Sequence, residues 1–284
     1  MPITVTGLCI GAAAAALISY ASLRLHALTP GGAVAAWVVG TIVFGVGGVA
    51  FTVPLLAFFV TSSALSRIKS ERKRGASAAY AKTGARDAWQ VLANGATPAC
   101  LAVACTLTAP SAQPTTRDWF LLYLCAIALI TADTWATEIG SLAAPTPRLI
   151  TTLRPVAAGT SGAVSLLGTA AAVAGAAFIP AVSLVSWPRG SVALLWPLDL
   201  AEALAVAWAA VVGCLLDSVL GATLQVQYRC RRCGGLVESA THCGAAGARA
   251  RGLTWLGNDA VNLISSVAAV VAGWYLLTSF AWPT

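Results

Sequence analysis

Charged residues are scarce in this sequence. Only 10% of its 284 residues are Asp, Glu, Lys or Arg, against about a quarter in soluble domains. Hydrophobic residues make up 58%, and the mean hydropathy is +0.81. That balance excludes a soluble enzyme, a disordered tail, a collagen and a disulfide-stapled mini-protein. The period-two alternation of an outer-membrane barrel is missing. So is a cleavable leader: no basic stretch and no Arg/Ser-rich run precedes the first apolar segment. What is present instead is a series of apolar runs of about 20 residues, the length of a membrane-crossing helix. An all-α, polytopic membrane bundle is expected, forming one integral membrane domain over 1–284.

Eight spans are expected, at about 3–22, 31–48, 50–66, 88–108, 118–140, 161–184, 201–224 and 258–280. Gly45, Gly47 and Gly48 mark a tight turn between the second and third, and a re-entrant hairpin would read the same way. Cys100, Cys105, Cys125 and Cys214 lie inside apolar runs and read as small buried hydrophobes. With eight spans, fifteen of the seventeen basic residues fall on one side. Most lie in a basic loop at 67–86 and in a Cys/His loop at 226–256; only Arg117 and Arg189 fall opposite. The positive-inside rule makes the basic side cytoplasmic and turns both termini away from it. The net charge of +7 therefore reflects topology and implies no nucleic-acid partner. A prokaryotic plasma membrane or an organelle membrane fits.

Polar residues of the spans gather at the basic side. Gln90 and Asn94 follow Asp87 where the fourth span leaves it, and Asp133 and Glu138 mark the return of the fifth. Thr160 and Ser161 open the sixth, Asp217 and Gln225 close the seventh, and Asn258, Asp259 and Asn262 open the eighth. Asp118, Asp199 and Glu202 sit at the opposite face as interfacial residues. An acid inside the membrane costs about 2.5–3.5 kcal/mol on insertion scales, so these positions point to function.

Arg86, Gln90 and Asn94 are four apart and would form one polar stripe on a helix. Arg suits bidentate phosphate binding, and the amides can bond oxygen atoms; interhelical bonding by Gln and Asn is the plainer alternative. Asp133 and Glu138 are five apart, about 140° around a helix. Beside Thr134 and Thr137 they suit Mg²⁺, which takes hard oxygen ligands, or they form a pair neutralised by Arg148 or Arg154. Gly159-Thr160-Ser161-Gly162 reads as a phosphate site at a helix start or as a simple N-cap, without a Walker A lysine. Gly213, Asp217, Gly221 and Gln225 share a face, so another helix or a ligand can approach the acid closely. Asn258 and Asn262 share a face with Asp259 beside it. In the loop, Cys230-x-x-Cys233 and His242-Cys243 supply four zinc ligands; a redox pair or free thiols are the alternatives.

Taken together, several stretches resemble one family. They are Gly31-Gly-Ala33, Val39-Gly40-Thr41, Ser66-Arg67, Arg86-x3-Gln90-Val-x-Ala-Asn94-Gly95, Ala132-Asp133-Thr-x-Ala-Thr-Glu138-Ile-Gly140, Gly159-Thr-Ser-Gly-x-Val-Ser-x-x-Gly168, Asp217-Ser-x-x-Gly-Ala-x-x-Gln225 and Asn258-Asp-x-Val-Asn262. The set resembles the transmembrane protein 19 family, whose plant members include phytyl-phosphate kinases of tocopherol and phylloquinone synthesis. The resemblance implies a multi-pass membrane enzyme that converts a prenyl monophosphate to the diphosphate. A nucleoside triphosphate, with CTP favoured, would be the donor. Membrane lipids, the isoprenyl monophosphate and the nucleotide would be its partners.

Placed against that chemistry, Asp133, Asp217 and Asp259 would bind Mg²⁺, with Glu138 as a fourth acid. Arg86, Arg154 and the Thr160–Ser161 turn would hold phosphates, and Gln90, Asn94, Gln225, Asn258 and Asn262 would orient them. Three alternatives remain: an ion-coupled transporter or lipid carrier, which also uses intramembrane acids, a lipid-phosphate cytidylyltransferase, and a zinc-knuckle scaffold without catalysis, in which the acids of the spans would have no purpose. A carrier should bear its acids near mid-membrane, whereas here they crowd one face.

Overall fold

The computed structural model describes residues 4–68, 84–108, 116–186 and 198–279. Most of the basic loop expected at 67–86 lies outside the described residues, as does Arg189. Among the described residues, seven helices are long and apolar enough to cross a membrane. They are α1 (Val5–Arg24), α2 (Pro30–Ser66), α3 (Ala88–Leu107), α4 (Thr116–Gly140), α5 (Leu166–Ser186), α6 (Leu200–Thr223) and α7 (Asn258–Ser279).

Seven helices and eight expected spans are reconciled inside α2. A straight helix of 37 residues would be about 55 Å long, far beyond a hydrocarbon core of about 30 Å. Gly48 breaks it, with φ 62° and ψ −158°, a region essentially reserved for glycine. The arms 30–47 and 49–66 run back to back. Arg67, just after the second arm, donates through Nη2 to Leu25 O at 3.3 Å, beside Thr29, which caps the first arm. Both ends of α2 therefore lie at one end of the bundle, and its arms correspond to the expected second and third spans.

Local chemistry sets the helix starts. Thr29 accepts from Gly32 N–H at 3.1 Å, with Pro30 at the first helical position. Asp87 with Gln90 and Asp199 with Glu202 form capping boxes at the starts of α3 and α6. Helix α4 is apolar all round from Trp119 to Ile130 and lies at the centre. Its residues Phe120 to Ala132 are all buried. Tyr123 donates to Phe51 O at 2.6 Å and packs against the Phe51 ring, 4.6 Å between centroids. The outer helices turn Leu17, Val60, Trp208 and Val271 outward, as lipid contact requires.

Two expected helix starts are corrected. Arg86 is not on a helical stripe with Gln90 and Asn94. The Asp87 cap starts α3 at Ala88, and Arg86 lies in an extended bridge, its N–H donating to Ala27 O and its carbonyl accepting from Thr29 N–H, both at 3.0 Å. Thr160 and Ser161 do not open a helix either. Gly159 and Gly162 take φ 85° and 77°, a left-handed backbone that no right-handed helix accommodates. They turn the chain into β2 (Ala163–Val164), which pairs antiparallel with β1 (Arg148–Leu149) before α5 begins at Leu166.

The bundle is also not purely helical. Between α6 and α7 lie β3 (Gln227–Arg229), β4 (Leu236–Val237), β5 (Thr241–His242), β6 (Ala245–Ala246) and β7 (Ala248–Arg251). β3 pairs antiparallel with both β4 and β7, and β5 pairs with β6. This small sheet stands on the bundle end where α6 finishes.

Candidate functional site

At that end a cleft of about 850 Å³ opens between α3, α4, α6, α7 and the β-segment. Asp133 and Glu138 enter it from the last turns of α4, and Asp217 enters from α6 two turns before its end. Asn258, Asp259 and Asn262 line it from the first turns of α7, and Gln90 and Asn94 line it from α3. Arg86, Thr160, Ser161 and Gln225 reach it from the segments between helices. Of the residues expected to bind substrate, Arg154 is not brought there. It is exposed between β1 and β2, its carbonyl accepting from Leu149 N–H at 3.0 Å.

The cleft contains one acid that sequence reasoning missed. Glu238 follows β4 and accepts from Ser161 Oγ at 2.9 Å and from Gln225 Nε2 at 2.8 Å. Gln227, buried, donates to Ser161 Oγ at 2.9 Å and accepts from Arg251 Nε at 2.8 Å. The Arg251 guanidinium continues to the carbonyls of Ala222, Gly221 and Ser161, completing the carboxyl end of α6 as a C-terminal cation should. Burial lowers the Arg251 pKa. The Thr160–Gly162 turn packs directly on α6: a Cβ on Gly162 would lie 2.4 Å from Ala222 N. The available signal for Glu238 was its isolation, as the one acid in a loop with five arginines.

Charge is distributed unevenly. Asp133 and Asp217 lie close enough to sense each other, and both sense Glu238. Asn262, with its amide nitrogen turned to its acceptors, donates to Asp217 Oδ2 at 3.2 Å and to Asn258 O at 3.3 Å. Glu138 accepts from Ser66 Oγ and faces Arg86. Burial lowers the Arg86 pKa, and Glu138 partly restores it; its guanidinium also lies 5.7 Å from the Phe58 ring centre. The Gln90 side-chain oxygen accepts from Asp87 N–H at 3.1 Å. Thr160 Oγ1 donates to Ala157 O at 2.8 Å, so neither hydroxyl of the turn directs its proton at a ligand.

Two smaller spaces adjoin the cleft, one of mixed lining and one mainly apolar. A recess of about 390 Å³ shares Asp133, Thr137, Thr160 and Ser218 with it and runs between α5 and α6 to Val173 and Leu215. Both of those are exposed on membrane-length helices, so the recess opens toward lipid. A smaller cavity of about 80 Å³ shares Arg86, Gln90 and Asn94 with the cleft and is walled by Val39, Phe44 and Ile130.

On the β-segment, Cys230, Cys233, His242 and Cys243 place one ligand atom each within 4.8 Å of the others. His242 Nδ1 lies 3.2 Å from Cys243 Sγ and 3.5 Å from Cys233 Sγ. The Cys230 thiol pKa falls to about 6, through the N–H of Cys233, the His242 ring and the N–H of Arg232. Among the described residues no second group of three or more Cys, His, Asp or Glu side chains is gathered so tightly. Asp133, Asp217 and Asp259 share the cleft without forming one compact cluster.

The sequence is 31% identical to Protein PGR of Arabidopsis thaliana over 275 residues, 93% of this chain and 91% of that one. It is 33% identical to the uncharacterized membrane protein sll0875 of Synechocystis sp. over 199 residues, 70% and 72% of the two chains. It is 25% identical to Protein VTE6, chloroplastic, of Arabidopsis thaliana over 251 residues, 88% and 66%. No solved structure matches. Residues 6–270, which include every motif quoted above, match the integral membrane protein family DUF92. The chain belongs to that family and is a multi-pass integral membrane protein.

Proposed function

We propose that this protein is a membrane-embedded prenyl-phosphate kinase. It moves the terminal phosphoryl group of a nucleoside triphosphate, CTP being favoured, onto phytyl or a related isoprenyl monophosphate. The observation that carries the reading is the junction of the acidic cleft with the recess between α5 and α6. An isoprenyl phosphate has the same two-part form, an apolar tail and an anionic head. The nucleotide is soluble and would enter the cleft from the water at the bundle end. The resemblance to a family with phytyl-phosphate kinases among its plant members supports the substrate class, as does likeness to a chloroplastic relative.

Phosphoryl transfer asks mainly for positioning and charge neutralisation. An oxygen of the acceptor phosphate bonds to the terminal phosphorus as the bond to the nucleoside diphosphate breaks, and that diphosphate leaves. The acceptor oxygen is already anionic, so no strong general base is needed. Asp133 and Asp217 would hold Mg²⁺, with Asp259 and Glu138 nearer the cleft's other walls. Their hard oxygens fit an ion that takes one or two carboxylates, phosphate oxygens and waters, and Glu238, held by Ser161 and Gln225, brings a further carboxylate into the same cleft. When bound, the ion would neutralise phosphate charge. Arg86 would grip phosphate, Asn94 and Asn258 would orient it, and Asn262 would hold the Asp217 carboxylate. Ser161 and Gln225 are engaged with Glu238 and act by fixing that acid.

The test is transfer of labelled γ-phosphate in detergent or nanodiscs. Phytyl and geranylgeranyl monophosphate would be offered with CTP, ATP, UTP or GTP and Mg²⁺. Label in a prenyl diphosphate supports the kinase. A CDP-lipid found by mass spectrometry, with the label released as pyrophosphate, would replace it with a cytidylyltransferase, and neither product from folded protein would favour a carrier.

A further inference from the structure

We propose that Cys230, Cys233, His242 and Cys243 bind one structural zinc ion, and that this ion holds Glu238 in the cleft. The zinc assignment stands apart from the proposed reaction; its consequence for the cleft rests on that reading.

The ligand set is soft and complete, three thiols and one imidazole, which is a closed structural zinc site in kind. Tetrahedral Zn–S bonds place sulfur atoms about 3.8 Å apart, and the four ligand atoms already lie within 4.8 Å of one another. The backbone is shaped for it by two turns. Gly234 after the first ligand pair takes φ 72°, and Gly244 after the second takes φ 71°. Gly234 N–H donates to Cys230 O, and Cys230 N–H donates to Gly235 O, both at 2.9 Å.

The segment also needs such an ion. Across residues 228–250 the buried side chains are those of Cys230 and Val237 alone, and most strands are two residues long. That is too little apolar surface to hold a fold, and segments of this kind rely on a metal or a disulfide. Glu238 lies in the stretch joining the two ligand pairs. A zinc ion that fixes both ends of this stretch fixes β4 on β3, and with it the carboxylate that Ser161 and Gln225 hold.

The full chain would be purified in detergent without chelator and its metal measured by mass spectrometry. One zinc per chain is expected. Cys233→Ser and Cys243→Ser should reduce this to roughly a tenth or less, while Cys9→Ser, at an exposed thiol in the second turn of α1, should keep it. His242→Cys exchanges one zinc ligand for another and should also keep it, which separates ligand loss from misfolding. After zinc is stripped from wild type, trypsin should cut within 229–251 roughly tenfold faster. Zinc-free wild-type protein, zinc retained in both serine variants, or a Cys230–Cys233 disulfide in purified protein overturns the site. Cleavage unchanged by zinc removal overturns the tether. Neither readout requires phosphoryl transfer, so failure of one proposal is visible apart from failure of the other.

Discussion

The two ends of this bundle use acids in opposite ways. At the end away from the cleft, Glu202 pairs with Arg117 and also closes the capping box of Asp199 at the start of α6. Its charge is matched and its oxygens complete a helix. At the cleft end, Asp133 and Asp217 sit well inside α4 and α6, where no orphan N–H groups require an acid. They stand near Glu238, while Arg251 is turned to the carbonyls of α6 and Arg86 to Glu138. The same residue types finish a structure at one end and, among the described residues, stand inside helices near one another at the other. Acids placed there are costly in a membrane, a cost that the proposed Mg²⁺ would offset.

Removing charge at each end should break this symmetry of composition. Asp217→Asn and Asp133→Asn should each lower phosphoryl transfer on the order of 10²–10³-fold and leave thermal unfolding in detergent unchanged or raised. A loss of folding without a specific loss of turnover would contradict the contrast. Glu238→Gln keeps the shape and both hydrogen-bonding partners, so its effect should be smaller, roughly 10–100-fold in kcat. Turnover at wild-type rate in that variant would remove Glu238 from the site.

Glu202→Gln should do the reverse. It leaves Arg117 without its carboxylate and should cost about 1–3 kcal/mol of stability, read as a lower Tm, with activity per folded molecule within about twofold. The finest comparison is between the two capping boxes. Asp87→Ala and Asp199→Ala should each cost about 1 kcal/mol. Only Asp87→Ala should also raise KM, because the start of α3 fixes Arg86 and Gln90 beside the cleft. Equal kinetics for the two variants would show that the position of α3 does not govern binding.

The large architecture was legible because membrane helices advertise themselves by run length. The Gly45–Gly48 cluster also marked the reversal in α2, since Gly48 needs a conformation other residues avoid. The gathering of Asp133, Asp217, Asp259 and Asn262 followed from counting which end of each span they occupy. What escaped was set by tertiary contact. Thr160 and Ser161 look like a helix cap, but Gly162 must fit against Ala222, and that contact is invisible in a local pattern. Arg86 is four residues from Gln90, yet the Asp87 cap puts it outside the helix. Arg154 has the charge of a phosphate ligand, and only the β1–β2 geometry turns it outward. Glu238 lies in a polar stretch with no membrane signal, and the return of that stretch onto α6 depends on Gln225, Gln227 and Arg251 acting together.

The reversal at Gly48 has a practical consequence. It gives the fold an even number of membrane-length arms, so α1 begins and α7 ends on the same face, opposite the cleft. A reporter attached beyond either helix would sample one compartment and leave the cleft clear. Two copies could be joined tail to head by a short linker without inverting either, which would allow one wild-type and one inactive cleft to be combined in a single polypeptide.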